Sequence, residues 1–219
     1  MYTWAVTARV APPERKRRTQ AERRAAARTA LLDATIDALA EEGYANTTTR
    51  GIAARAGMTP GALQHHFATK TELLGEARLH ISTKIAQAML ARGSLTSLPM
   101  PQRSEQLLDR MWELYKGPLF QAGMELWVAA RTDSELRGKL VEVQRTGGQW
   151  IAAAARINYP ELADRTGLAE LHATIDAALR GLAILRFVNG ADADRTWPAT
   201  RAYMLAMAAQ FAAEAETSP

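Results

Sequence analysis

Gln64 and His65 are the side chains in this sequence best suited to hydrogen-bond a base edge, with Arg50 next and His66 set nearer a sugar–phosphate backbone. An amide offers a donor and an acceptor side by side, so Gln64 can take an adenine edge or hold a phosphate oxygen. Pro60, Gly61 and Ala62 just before them are small enough to touch a groove by shape and apolar contact. The hydroxyls of Thr48, Thr49 and Thr59 and the ammonium of Lys70 are placed to fix register on phosphates. This is the chemistry of recognition, not of bond making. The four histidines are His65, His66, His80 and His172, and the adjacent pair faces different ways on a helix and chelates poorly. No zinc-protease motif, phosphate-cradling glycine loop or nucleophile elbow occurs, so neither an enzyme, a metal site nor a cofactor is expected.

The elements that must position these groups are short. Thr48 to Phe67 reads as two brief helices joined by a turn at Gly57-Met58-Thr59. Gly57 can adopt the positive φ that ends the first, Thr59 can cap the second, and Pro60 suits its first position. With Leu63 pointing inward, steps of 100° put Phe67 beside it and aim Gly61 and His65 outward, flanked by Ala62 and Gln64. That is a helix-turn-helix, with a second helix fit for a DNA major groove. Upstream, Thr19-Gln20-Ala21-Glu22 has the form of a capping box, and Leu31, Leu32, Thr35, Ile36 and Leu39 trace the buried stripe of a long helix that Gly43 stops.

The segment from Thr19 to Leu74 closely resembles the DNA-binding domain of the TetR family of bacterial transcriptional regulators. The landmarks are Glu41-Glu42-Gly43-Tyr44, Asn46-Thr47-Thr48-Thr49, Ile52-Ala53, Ala56-Gly57, Gly61 to Phe67 and Thr69 to Leu74, in this order and spacing. The family usually places a phosphate-contacting Tyr where this chain has Gln64. The resemblance implies an all-α protein, with a three-helix DNA-binding domain joined to a larger helical domain for ligand binding and dimerisation. It further implies a homodimer whose last two long helices form a four-helix interface, and a small-molecule effector held among the body helices.

Composition fits these expectations. The 219 residues are 47% hydrophobic, without a run long enough to span a membrane. The N-terminal segment puts apolar residues before its basic cluster, the reverse of a secretory signal, and cysteine is absent, so a reducing cytoplasm is the expected location. Residues 1–80 carry the whole net charge of +4, and 81–219 balance at 15 of each sign. A positive head on a neutral body points to a polyanion at the head alone. Residues 1–18 read as a flexible basic arm whose Arg17 and Arg18 follow phosphates or enter the minor groove. Residues 19–70 form the DNA-binding domain and 71–219 the body.

Within the body, helices are predicted from Thr71 to Leu90, Gln102 to Lys116, Leu119 to Arg131, Ser134 to Ile157, Leu168 to Val188 and about Asp192 to Glu214. Ser134 is expected to cap its helix, Gly147-Gly148 to bend it, and Pro198 to sit in the first turn of the last helix. Ala177, Ala178, Gly181, Leu182, Ile184 and Leu185, then Ala202, Met204, Leu205, Met207 to Ala209, Phe211 and Ala212, give more apolar coverage than one core-facing stripe needs, which suits dimer contacts. Met111, Trp112, Tyr115, Phe120, Met124, Trp127, Trp150 and Phe187 bring bulk to an Ala- and Leu-rich region. Such residues at helical spacing usually form core, and they also suit the walls of a site for an apolar or aromatic effector, with Gln121, Glu125, Arg131 and Gln144 as polar contributors. Glu113 and Glu125 are spaced for ion pairing with Arg110 or Lys116. The sequence thus points to a homodimeric repressor released from a palindromic operator by a small effector. The alternatives are a sequence-tolerant DNA binder with no effector and an adaptor whose body answers a partner protein.

Overall fold

The computed structural model describes the backbone of residues 19–216, and the side chains of all of these except 146–155 and 215–216. The described chain is all-α: α1 (Gln20–Asn46), α2 (Thr49–Arg55), α3 (Pro60–His66), α4 (Lys70–Ala91), α5 (Met100–Tyr115), α6 (Pro118–Ala130), α7 (Ser134–Asn158) and α8 (Leu168–Glu216). One 3-10 turn, Pro160–Leu162, follows α7. No helix among the described residues is long and apolar enough to cross a membrane.

Local chemistry sets most boundaries. Thr19 Oγ1 accepts from Glu22 N at 3.2 Å while Glu22 Oε2 accepts from Thr19 N at 2.7 Å, so α1 opens with a full capping box. All five residues of its predicted stripe are buried. Gly43 at φ +76° ends the regular helix before a last turn through Asn46, and Gly57 at φ +68° makes the turn after α2.

Three boundaries differ from the sequence reading. The cap of α7 is Asp133, whose Oδ1 accepts from Leu136 N at 2.9 Å, and Ser134 is the first helical residue. The same helix runs as one element through Gly147-Gly148, because glycine weakens a helix by only about 1 kcal/mol per residue and packing on α4 and α6 can carry that. In α8 the break falls at Asn189 (φ −147°, ψ 91°), with no open loop before Asp192. Asn189 Oδ1 accepts from Asp192 N at 3.3 Å, so this residue caps the second limb. Pro198 consequently lies inside the second limb, beyond its first turn.

Two cores meet along α4. Leu73 and Ala77, one helical turn apart, join Leu31, Ile52, Leu63 and Phe67 in the core of the head. On another face of the same helix, Leu74 and Ile81 join Ile36 and Leu39 of α1, Ala122 and Leu126 of α6, and Leu136 and Leu140 of α7. Head and body therefore share packed side chains. A third cluster, built on Leu108, Trp112, Phe120, Leu179 and Met204, fills the distal body between α5, α6 and α8.

Candidate functional site

A seven-residue helix such as α3 is too short to hold itself in water, so its neighbours must position it. Leu63 (2% exposed) and Phe67 (1%) anchor it in the head core. The opposite face presents Gly61, Gln64 and His65 to solvent, with Ala62 and His66 half-buried. A Cβ built on Gly61 meets nothing within 4 Å, and the residue has no positive φ, so neither packing nor backbone conformation requires glycine there. Its smallness is open to whatever approaches from outside.

The caps hold both helices and leave a donor to spare. Thr48 Oγ1 accepts from Gly51 N at 3.0 Å and Thr59 Oγ1 accepts from Ala62 N at 3.2 Å. Each hydroxyl still has its own proton to donate outward. Thr49 is half-buried at the start of α2, and Arg50 and Pro60 are exposed. Arg17 and Arg18 lie outside the described residues.

Several cations of the head are tied to partners within the protein. Arg28 pairs with Glu76, donates from Nη1 to the His66 carbonyl at 2.8 Å, and lies 4.3 Å from the Phe67 ring centroid. It thereby ties α1 to α4 and to the C-terminus of α3, where carbonyls lack helical partners. Arg55 bridges Glu41 at 2.8 Å and Glu42 at 2.6 Å, fastening α2 to α1. Lys70 Nζ donates to the Thr47 carbonyl at 2.6 Å and sits 4.8 Å from the Tyr44 ring centroid, and burial lowers its pKa. The sequence marks these residues as basic but carries no sign of their partners, which lie 13 to 48 positions away. His66 is set back from the exposed face. Its Nδ1 is buried without a partner, and burial, then His65, Arg24 and Arg28, lower its pKa.

The head is also wired to the body. Glu125 Oε2 on α6 accepts from the backbone N–H of Tyr44 at 2.7 Å, at the break in α1. Glu125 therefore departs from the intrahelical ion pairing that its spacing suggests, whereas Glu113 does pair with Lys116, at 2.5 Å. Arg110 instead donates to the carbonyls of Arg92 and Gly93, both at 2.8 Å.

Of the bulky body residues, Trp112 (3% exposed) and Phe120 lie in the distal core, with Met111, Tyr115 and Met124 packed against it. Trp112 stacks on Trp197, ring centroids 4.8 Å apart, a partner the sequence reading did not pick out. Met111 also lines a small cavity of about 40 Å³ with Ser104, Tyr159, Leu171 and His172. Trp127 borders an open cleft of about 350 Å³, together with Arg131 and Gln144. Gln121 is half-buried on α6, Phe187 is exposed with its ring 6.4 Å from that of Phe120, and the side chain of Trp150 is outside those described. Asp176 of α8 accepts from the Tyr115 hydroxyl and pairs with Arg180. Burial, and then Asp176, push the Tyr115 pKa up. On α8 the face carrying Ala177, Ala178, Gly181, Ile184 and Leu185 is exposed, whereas Leu182 and Met204 turn into the core.

Comparison with known proteins agrees with this geometry. The family described as "Bacterial regulatory proteins, tetR family" matches residues 31–77, which run from the middle of α1 into α4. The HTH-type transcriptional regulator CymR of Pseudomonas putida is 37% identical over 123 residues, 56% of this chain and 60% of that protein, so the match spans under two thirds of the relative. The HTH-type transcriptional repressor Rv3405c of Mycobacterium tuberculosis is 30% identical over 76% of this chain and 89% of its own length. Among solved structures, the multidrug binding protein EbrR complexed with ethidium superposes with a TM-score of 0.60 at 22% identity, covering 83% of this chain and 98% of that one. Capped short helices, an outward α3 and a relative matched over most of its length lead to one assignment: the chain belongs to the TetR family of DNA-binding bacterial transcriptional regulators.

Proposed function

We propose that the chain works as a homodimeric, sequence-specific repressor that leaves a palindromic operator when a small effector binds its body. The observation that carries this reading is the outer face of α3. Gln64 and His65 stand exposed beside a glycine the fold does not need, on a helix anchored from behind by Leu63, Phe67 and Arg28. Gln64 and His65 read bases, Arg50 assists, and Pro60, Gly61 and Ala62 fit the groove by shape. The free hydroxyl protons of Thr48 and Thr59, with Thr49, bond phosphates, and His66 stays near the backbone. Lys70 acts through Thr47, holding the entry to α2, and so fixes register indirectly. Arg17 and Arg18 in the arm add phosphate contacts.

One short helix recognises few bases, and two related by a dyad, about one helical turn apart, read a palindrome. The exposed apolar face of α8 suits self-association, with Leu185 53% and Val188 92% exposed. An effector acts only to the extent that it prefers the state that does not fit DNA. The fold neighbour EbrR, solved in complex with ethidium, and the repressor name of one relative support an effector and repression. The bond from Tyr44 N–H to Glu125 supports a route from α6 to the head, beside the path through α4.

Selection from a random duplex library by the intact protein, at fixed near-physiological salt, tests this reading. Enrichment of a palindrome with half-sites about one turn apart is expected. Binding without enrichment would replace it with the sequence-tolerant reading.

A further inference from the structure

One region of the body has a marked charge imbalance. The open cleft of about 350 Å³ is bordered by Trp127, Arg131, Arg137, Leu140, Gln144 and Arg180, with no carboxylate lining it among the described residues. Arg180 pairs with Asp176, which the Tyr115 hydroxyl also engages, and Arg180 Nε is buried without a hydrogen-bond partner. Arg78 of α4 stands by the same indole. The guanidinium carbons of Arg180 and Arg78 lie 4.4 and 5.4 Å from the Trp127 ring centroid. Burial lowers the Arg78 pKa, and Arg180 lowers it further, as expected of two cations sharing a poorly solvated place. Among the described contacts, the carboxylate that serves Arg180 is Asp176, and the Tyr115 hydroxyl shares it.

A planar anion would answer both features of the cleft. A guanidinium donates two parallel N–H bonds to a carboxylate, and an indole with a leucine beside it holds an aromatic ring. A cationic ligand would meet three guanidinia and gain no counter-charge from the lining. We propose that this cleft is the effector site and that its ligand class is an aromatic carboxylate, its ring against Trp127 and Leu140 and its anionic group on Arg180 and Arg131. This deepens the reading of the chain as an effector-released repressor and rests on it. The placement also supplies the coupling. Trp127 is two residues from Glu125, whose carboxylate holds Tyr44 at the end of α1, so a ligand that moves α6 moves the head.

The test titrates the intact protein by calorimetry with three probes of one shape: 2-naphthoate, 2-naphthamide and 2-naphthylmethylammonium. The carboxylate is expected to bind about tenfold more tightly than the amide, as one charge-assisted bidentate contact implies, with the ammonium weakest. Arg180→Gln and Arg131→Gln should each weaken naphthoate about tenfold and leave the amide unchanged. Circular dichroism checks the fold, and Arg131, at the exposed end of α6, decides the matter if the Arg180 variant loses helix. Naphthoate should also release the protein from its selected operator. Equal binding of all three probes overturns the anion assignment and leaves an effector-responsive regulator standing. Naphthoate binding that neither variant weakens overturns the location. Binding by none of the three overturns the cleft as an effector site and leaves DNA recognition untouched.

Discussion

Lys70→Met separates a structural tie from a phosphate contact. The ammonium donates to the Thr47 carbonyl at 2.6 Å and lies 4.8 Å from the Tyr44 ring centroid. A hydrogen bond from a charged donor contributes about 1.5–3 kcal/mol and a cation–π contact about 0.5–1 kcal/mol. Against these stands the burial cost that already lowers the Lys70 pKa, and methionine keeps the apolar stem against Tyr44. The net loss should be about 2 kcal/mol, seen as a fall in melting temperature of about 4–8 °C for a chain of this size. Operator affinity would be measured across a salt series beside it. With one phosphate contact removed from each subunit of the dimer, the slope of log K against log salt would fall in magnitude by about 1.8, whereas a tie leaves the slope unchanged and weakens every duplex alike. An unchanged melting temperature with a reduced slope would refute the argument, because Lys70 would then face DNA and the Thr47 bond would contribute nothing.

Three further outcomes are expected. Gln64→Ala or His65→Ala should cost about 1–3 kcal/mol on the selected operator and relax preference at particular positions, as a repeat of the duplex selection would report; uniform weakening would reassign both to the backbone. Burial lowers the pKa of His66 and of His172 below the ordinary histidine value of about 6.5, so the unfolded chain protonates first as pH falls. Stability from this source is whole above about pH 6.5 and declines below it, down through the folded-state values. Thermal melts from pH 8 to pH 5 should show that decline, less steeply in His172→Gln, and a melting temperature that rises on acidification would contradict it. Leu185→Glu and Val188→Glu, on the exposed face of α8, should convert dimer to monomer in light scattering, and a dimer that survives both must use another surface.

The sequence by itself determined the head. Its signals are local: a capping box at Thr19, threonine caps at Thr48 and Thr59, Gly57 at positive φ, and the Leu63 and Phe67 spacing that turns Gln64 and His65 outward. Each acts within a turn or two of chain, where capping and periodicity operate, so the elements could be read from residue order. The body was legible as helices but not in its details. Asp133 rather than Ser134 caps α7, and Asn189 sets the break in α8, because neighbouring residues compete for one cap and packing chooses between them. Which cations are held by protein partners was not legible either. Arg28, Arg55 and Lys70 are basic in the sequence, and only tertiary packing brings Glu76, Glu41, Glu42 and the Thr47 carbonyl to them. The same holds for the bulky residues of the body, where the sequence listed bulk and the fold sorted it. Trp112 and Phe120 went into core, while Trp127 was left at a cleft beside Arg180, with Arg78 at its ring. That sorting depends on side chains far apart in the chain, such as Arg78 with Trp127, Trp127 with Arg180 and Trp112 with Trp197, meeting in space, and no local signal encodes such a meeting.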